Sequence, residues 1–377
     1  MTRPILWALA VILCGGCARN TADYSEVKSN SPSKIIYEKL HLDSVLLDSV
    51  NTSYVGEAAI RDQHLYFVDV KFSFIYQFNL EGRKTARFAG QGRDKNELPI
   101  KSIMSFSFLP DGRTVILGPS WDCFIYDKDF SRIDDYQINW HPDVTIDQMI
   151  KKPDPSKTLL YSINFSGSIV SDGKKLWLPL LSAHPTFNPT NPAYAKEARL
   201  LAQMDLGTGY VDKIYGRLSP VYASNFNTLV FPSPLFDVNT DGHFLITFPV
   251  DPHIYEADQD FSVKRAFGNM GRDIDTNYVN AKNVAQFHKN YVEQAAKRGY
   301  YTALKYISDR DMLFRSYTKS DLQKTDGLQI YRRDTLIADV DVPKGFKIIG
   351  YQAPYFYSSA TINPDKREIK IYKFKLN

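Results

Sequence analysis

Residues 235–267 read LFDVNTDGHFLITFPVDPHIYEADQDFSVKRAF. Four short runs stand out, at 235–238, 244–248, 253–256 and 263–267, rich in Phe, Leu, Ile, Tyr and Val. Asp241-Gly242 separates the first two, a loop the second and third, and a turn near 258–260 the last two. Aromatic and β-branched runs this short, bounded by Asp and Gly, are strands and not helices. The unit reads strand, turn, strand, loop, strand, turn, strand.

The same unit recurs upstream. It appears at 64–69, 74–78 and 85–88 with a turn at Glu81-Gly82, and at 103–109, 114–117, 123–126 and 133–138 with a turn at Pro110-Asp111-Gly112. A third copy takes 168–170, 176–180, 200–205 and 211–215 around Asp172-Gly173. Two fainter units follow at 304–317 with 328–340, and at 346–357 with 368–374. First-turn markers Asp62, Asp111, Asp172, Asp241 and Asp309 are spaced 49, 61, 69 and 68 residues apart. Short antiparallel four-strand units at such a period are propeller blades. The expectation is an all-β, six-bladed β-propeller over 34–377. Residues 35–47 (IIYEKLHLDSVLL) are strand-like and left over, so they complete the last blade and close the ring, removing an open sheet edge.

Composition agrees. Tyr 24, Phe 23 and Trp 4 form an aromatic load that suits strands. Lys and Arg number 46 against 42 Asp and Glu, a net of +4 that gives no electrostatic case for nucleic acid. Three Cys cannot build a disulfide framework or a four-Cys zinc site. Cys123, in the strand-like Cys-Phe-Ile-Tyr at 123–126, reads as a buried structural thiol.

The first residues are an address. After Arg3 comes the apolar run 5–13 (ILWALAVIL), then Cys14-Gly15-Gly16-Cys17. That is an export signal, 1–16, too short to span a bilayer. Cys17 after the small pair Gly15-Gly16 resembles a bacterial lipobox, which implies lipid on the Cys17 thiol. Residues 17–33 are polar and aperiodic and read as a flexible tether. Ala18-Arg19-Asn20, with no acidic run after Cys17, favours the periplasmic side of the outer membrane.

One inserted helix is expected over 277–298, where Val284, Phe287, Tyr291 and Ala295 fall at spacings of three, four and four. Asp275, Thr276 and Asn277 offer caps and Gly299 a stop. Phe88-Ala-Gly-Gln-Gly92-Arg93-Asp94 repeats as Phe267-Gly-Asn-Met-Gly271-Arg272-Asp273, 179 residues on. Both copies follow a fourth strand. Gly92 and Gly271 are expected to let the backbone turn tightly there.

This turn pattern, with Gly-Gln-Gly-Arg-Asp-Lys-Asn-Glu-Leu at 90–98, resembles six-bladed propeller lipoproteins of the NHL/TolB-like type. The chain from 34 onward looks like an uncharacterised Gram-negative lipoprotein family, a domain of unknown function. The resemblance implies fold and location and brings no catalytic residues.

Asp237-Val-Asn239-Thr-Asp241-Gly242 matches half an EF-hand loop, yet Phe248 stands where the bidentate Glu belongs, so the segment reads as a hairpin turn. There is no phosphate loop, no Gly-x-Ser-x-Gly elbow and no His-x-x-x-His pair. Propeller sites are instead assembled from loops distant in sequence. Loops between second and third strands supply Trp121, Asp122, His184, Asp251 and His253. The crossings between blades, on the same face, supply Arg93, Asp94, Arg272 and Asp273. Such a ring suits a polar or glycan ligand, or a metal held over the channel. Two readings stay open. One is a monomeric, lipid-anchored module without cofactor that binds an envelope protein or glycan. The other is a metal-assisted hydrolase or lyase, lactonase-like, with His184 or His253 as ligand.

Overall fold

The apolar runs pair as hairpins throughout the computed structural model, which describes residues 24, 27–35, 40–165, 167–182, 184–224, 233–275, 278, 284–320 and 323–376. The expected signal sequence and Cys17 lie outside these, as do most of the tether, residues 36–39 and the helix-cap candidates Thr276 and Asn277.

Among the described residues the strands form six antiparallel sheets. Strand β1 (Asp43–Leu46) precedes the first blade, β2 (Gly56–Arg61), β3 (His64–Asp69), β4 (Phe74–Phe78) and β5 (Lys84–Ala89). The second holds β6 (Ser105–Phe108), β7 (Thr114–Leu117), β8 (Asp122–Tyr126) and β9 (Arg132–Gln137). The third holds β10 (Ser162–Ile163), β11 (Val170–Ser171), β12 (Lys175–Leu181), β13 (Leu201–Asp205) and β14 (Val211–Tyr215). The fourth is β15 (Leu235–Val238), β16 (Phe244–Thr247), β17 (Ile254–Ala257) and β18 (Val263–Phe267). The fifth is β19 (Tyr300–Ile307), β20 (Met312–Thr318), β21 (Asp326–Arg332) and β22 (Thr335–Val342). The sixth takes β23 (Ile348–Gln352), β24 (Tyr355–Asn363) and β25 (Glu368–Phe374), with β1 as its outer strand. The chain is an all-β six-bladed propeller.

Ring closure is as expected in kind and narrower in extent. Only Asp43–Leu46 pairs, antiparallel, with residues 370–373 of β25. Upstream, Ser33 pairs in parallel with Leu336 and Ser29 with Ala266, so residues 29–34 run along the outer strands of the fifth and fourth blades. Tyr24 is buried farther back, stacked edge-on against Tyr255 with centroids 4.7 Å apart. The part of the expected tether that is described is therefore docked, and it covers strand edges that would otherwise be open.

The core is a ring of interfaces between blades, not a single centre. Tyr66 and Ile75 of the first blade pack with Ile116, Phe124 and Tyr126 of the second. Across the closure, Val45 and Ile371 pack with Phe67 and Tyr76. Because each sheet is covered on both sides, strands such as β7 are buried at every residue. Polar ties cross the same interfaces: Arg61 donates to Gly112 O and Arg113 to Gly173 O. The inner edge of the third blade is split, β10 and β11 each pairing with a different part of β12. Pro179 lies between those two stretches of β12, and its missing N–H leaves the inner ladder a gap.

Four helices are described where one was expected: α1 (Ile146–Lys151), α2 (Pro192–Glu197), α3 (Pro220–Ser224) and α4 (Val284–Arg298). The expected helix is α4. The other three are five or six residues long, too short to show an apolar period. Thr145 with Gln148 forms a capping box on α1, a local signal that was present in the sequence. Among the described residues no helix is long and apolar enough to cross a membrane.

Candidate ligand-binding face

In a four-stranded antiparallel blade, first-to-second and third-to-fourth turns emerge at one face. Second-to-third loops and the crossings between blades emerge at the other. Helix α2 sits in a second-to-third loop, and α1, α3 and α4 sit in crossings. All four therefore load one face. The opposite face carries tight turns such as Asp62-Gln63, Asp111-Gly112 and Asp241-Gly242. The half EF-hand match is one of these, with Asn239 Oδ1 accepting from the N–H groups of Asp241 and His243. Arg93, Asp94, Trp121, Asp122, His184, Asp251, His253, Arg272 and Asp273 all belong to the helix-bearing face.

The two Arg-Asp loops share four of seven residues and differ in surroundings. In the first, Leu98 N–H donates to Gly90 O and Gly92 N–H to Leu98 O, making a small closed loop. The Glu97 carboxylate accepts from Asp94 N–H at 3.1 Å and lies 1.7 Å from where a Cβ on Gly92 would stand. Gly92 does not adopt a left-handed backbone, and the only atoms a Cβ would meet belong to the movable end of the Glu97 side chain, so the tight turn expected to need glycine here does not depend on it. Arg93 and Asp94 are exposed, and among the described residues neither side chain makes a hydrogen bond or ion pair. Gly271 in the second loop is likewise crowded, by Tyr317 and Ile274. Here, however, Arg272 Nη2 meets Asp341 at 3.1 Å and Nε approaches Asp339 at 3.6 Å. Asp273 pairs with Lys319 at 3.0 Å, and Lys319 with Asp341 at 2.7 Å.

Beneath that second loop lies a polar network that sequence reading missed. Arg315, on β20, is fully buried. Its guanidinium donates to Gln329 Oε1, Pro252 O, Asn269 O, Tyr331 Oη and Thr247 Oγ1, and lies 3.9 Å from the Tyr301 ring centroid. Gln329 passes the contact on to Asp339, which also accepts from Tyr317 Oη at 2.6 Å. The network joins the fourth blade's loops to the fifth blade's strands. Lys319's hydrogen bond holds the Asp341 carboxyl below its usual range. Burial works against the Lys319 ammonium, but Asp341 and Asp273 outweigh it and raise its pKa. The available signal was Arg315 and Gln329 standing in otherwise apolar strand runs.

Of the remaining residues only Asp251 and His253 meet, and no hydrogen bond or ion pair joins Arg93, Trp121, His184 and His253 among the described residues. Trp121 is 41% exposed, on backbone with φ 64°, and leans edge-on against Trp140. Asp122 accepts from Ser120 N–H. Asp251 is buried and receives His253 N–H, the His253 ring at Nδ1 (2.9 Å) and Tyr255 Oη (2.9 Å). Burial pushes the Asp251 pKa up, yet these hydrogen bonds prevail and leave it below the usual carboxylate value. Burial also lifts the Cys123 thiol to about 12, which fits a structural role. Among the described residues no three His, Cys, Asp or Glu side chains converge, so they do not form the metal centre that the hydrolase reading needs.

Two hollows open on this face. One, of about 400 Å³, is lined by Ser49, Val50, Asn51, Thr52, Tyr54 and Arg367. Its floor is fixed by buried Asp69, which accepts from Thr52 Oγ1, Ser53 N–H and Phe72 N–H. The other, of about 300 Å³, lies between α1 and the loop after β12 and is lined by His184 and apolar side chains.

No family model matches the chain, and no curated protein is similar to it. Among solved structures it is similar to a member of the DUF4221 family from Bacteroides vulgatus, with TM-score 0.63 at 13% identity over 89% of this chain and 98% of that one. A Bacteroides fragilis protein covers 92% of this chain and 99% of its own length at 15% identity, with TM-score 0.54. The likeness is one of fold. Virginiamycin B lyase from Staphylococcus aureus superposes more loosely, with TM-score 0.45 at 12% identity over 89% of this chain and 100% of that one.

Proposed function

We propose that this chain is an exported lipoprotein, held at the periplasmic side of the outer membrane by lipid on Cys17, whose monomeric propeller binds an envelope protein or glycan. The binding reading rests on the asymmetry of the two faces. Among the described residues one face carries short turns, whereas the other carries all four α-helices and both hollows. Long connections on a rigid scaffold are where binding residues concentrate. Exposed Trp121, held on a left-handed backbone, and unpaired Arg93 are residue types that anchor recognition. Export and anchoring rest on the apolar run 5–13 and on Gly15-Gly16-Cys17.

The reading is tested in cells. A photo-crosslinking residue at position 121 should capture a discrete protein or glycan species, and one at position 241, on the opposite face, should not. Capture only from position 241 would assign binding to the wrong face. Cys17→Ala should move the protein to the soluble fraction, and persistence in the membrane would remove the anchor from the proposal.

A further inference from the structure

The N-terminal chain meets the propeller at its helix-bearing face. Tyr24 Oη donates to Arg217 O, in the crossing from the third blade to the fourth, at 2.7 Å. Its ring packs against Phe248, at the start of a second-to-third loop, and against Tyr255. Farther on, Ser29 pairs with Ala266 near the end of β18, and Ser33 with Leu336 near the start of β22. Tyr24, Ser29 and Ser33 thus step from the helix-bearing face toward the turn-bearing one. Seven residue steps separate Tyr24 from Cys17, a reach of at most about 25 Å. A membrane holding Cys17 must lie within that distance of Tyr24.

Charge divides between the faces in the same sense. Among the described residues, the loops of the helix-bearing face hold 20 Lys and Arg against 12 Asp and Glu, whereas the turns of the other face hold 6 against 12. The positive excess is itself concentrated. The helix-bearing loops between residues 268 and 367, which serve the fifth and sixth blades, hold 10 against 4; the rest of that face, around Trp121, holds 10 against 8. Of the first ten, Arg272, Arg298, Lys319 and Lys344 are taken up by carboxylates. Lys289, Lys297, Lys324, Lys347, Lys366 and Arg367 are exposed, and among the described residues none of them makes an ion pair. Glu293 and Asp365 are the exposed acids left among them without a partner. Asn269, which opens this stretch, donates to Ser31 O, so the basic sector adjoins the incoming chain.

We infer that this basic sector rests on anionic phospholipid headgroups of the membrane that holds Cys17, with the turn-bearing face directed away and the sector around Trp121 left open to the partner. The inference rests on the lipid anchor of the proposed function and adds the orientation in which the propeller is held. Exposed cations are drawn to an anionic surface within about a Debye length, ~10 Å at 0.1 M salt, and the acidic turns of the other face are repelled by it. The short reach from Cys17 keeps the sector at high effective concentration beside that surface.

The test uses the intact lipidated protein on vesicles of phosphatidylcholine and phosphatidylglycerol, in a ratio of about 2:1, carrying a headgroup-linked quencher. With Cys17 lipidated and Cys123 buried, a fluorophore can be placed singly through Asp365→Cys, Asp241→Cys or Ser120→Cys, all at exposed positions. Quenching at 365 should exceed that at 241 at least threefold, with 120 between them. In pure phosphatidylcholine, or in about 0.5 M salt, the excess at 365 should fall by more than half. Lys347→Glu combined with Lys366→Glu, both at exposed and unpaired sites, should lower it as far in the acidic vesicles. Protein that floats with neither vesicle lacks the anchor, which removes this inference together with the reading beneath it. Floating protein with equal quenching at 365 and 241, with strongest quenching at 120, or with an excess at 365 indifferent to lipid charge or to the two substitutions, would overturn the orientation alone.

Discussion

The loops around Arg93 and Arg272 share Phe, Gly, Arg and Asp at four of seven positions and end in opposite conditions. Arg93 stands exposed with no partner among the described residues, its loop closed by Glu97 within the same loop. Arg272 is gripped by Asp339 and Asp341, above a buried network that ties the fourth blade to the fifth. A repeat in sequence therefore conserves a turn without conserving what the turn serves. The difference comes from the next blade: the residue after β20, Lys319, and Asp339 and Asp341 of β22 face the second loop. The first loop instead receives Arg132, whose Nη1 donates to Glu97 O and leaves Arg93 untouched.

The largest break in this contrast should come from Arg315. Arg315→Ala removes a buried cation, takes away the donor to the Pro252 carbonyl and one donor each to Gln329 Oε1 and Asn269 O, and should destabilise the fold by about 3–4 kcal/mol in denaturant melts. A loss under about 1 kcal/mol would mean that the network is not what fixes the second loop.

Acid should loosen the same loop. The Asp341 and Asp251 pKa values both lie below their ordinary value of 3.8 in the folded state. A carboxylate depressed on folding adds stability above its unfolded pKa and loses that contribution as pH falls through the folded one. Thermal stability should hold on cooling the pH from neutrality to about 5 and decline below about pH 4. The protection of the Gly271 amide, whose N–H donates to Tyr301 Oη, measured relative to the intrinsic exchange rate at each pH, should fall over the same interval. A melting temperature insensitive to pH in that range would contradict the assigned carboxylates.

The smallest effects separate the two arginines directly. Arg272→Gln, on a half-exposed pair, should cost about 0.5–1 kcal/mol, and Arg93→Gln should change stability by less than about 0.5 kcal/mol. Equal losses in the two variants would erase the contrast.

The blades were legible because hairpins declare themselves locally. Asp-Gly pairs with Gly at positive φ, such as Gly112 and Gly242, punctuate runs that are apolar on both sides. Closure by β1 was legible as a leftover strand, though not its four-residue extent, which depends on pairing with β25 from the far end of the chain. Helices α1–α3 were not legible, since five or six residues carry no period. The site was legible only as a list of loop residues. That Arg93 is bare among the described residues and that Arg272 is locked depend on neighbours that arrive from other blades. Arg315 was hidden for the opposite reason: a single Arg within Met-Leu-Phe-Arg-Ser-Tyr-Thr gives no pattern, only an exception.

Asp43 pairs with Lys373, 330 positions later. A ribosome delivers the first of these long before the second, so β1 spends the whole of synthesis waiting for the strand it will join. Until residues 370–373 arrive, the sixth sheet lacks its two outer strands and β1 has nothing to pair with. Contacts this distant form slowly, and exposed edges in the interim invite pairing with other chains. A chain that lost even its last eight residues would keep five blades and forfeit the ring.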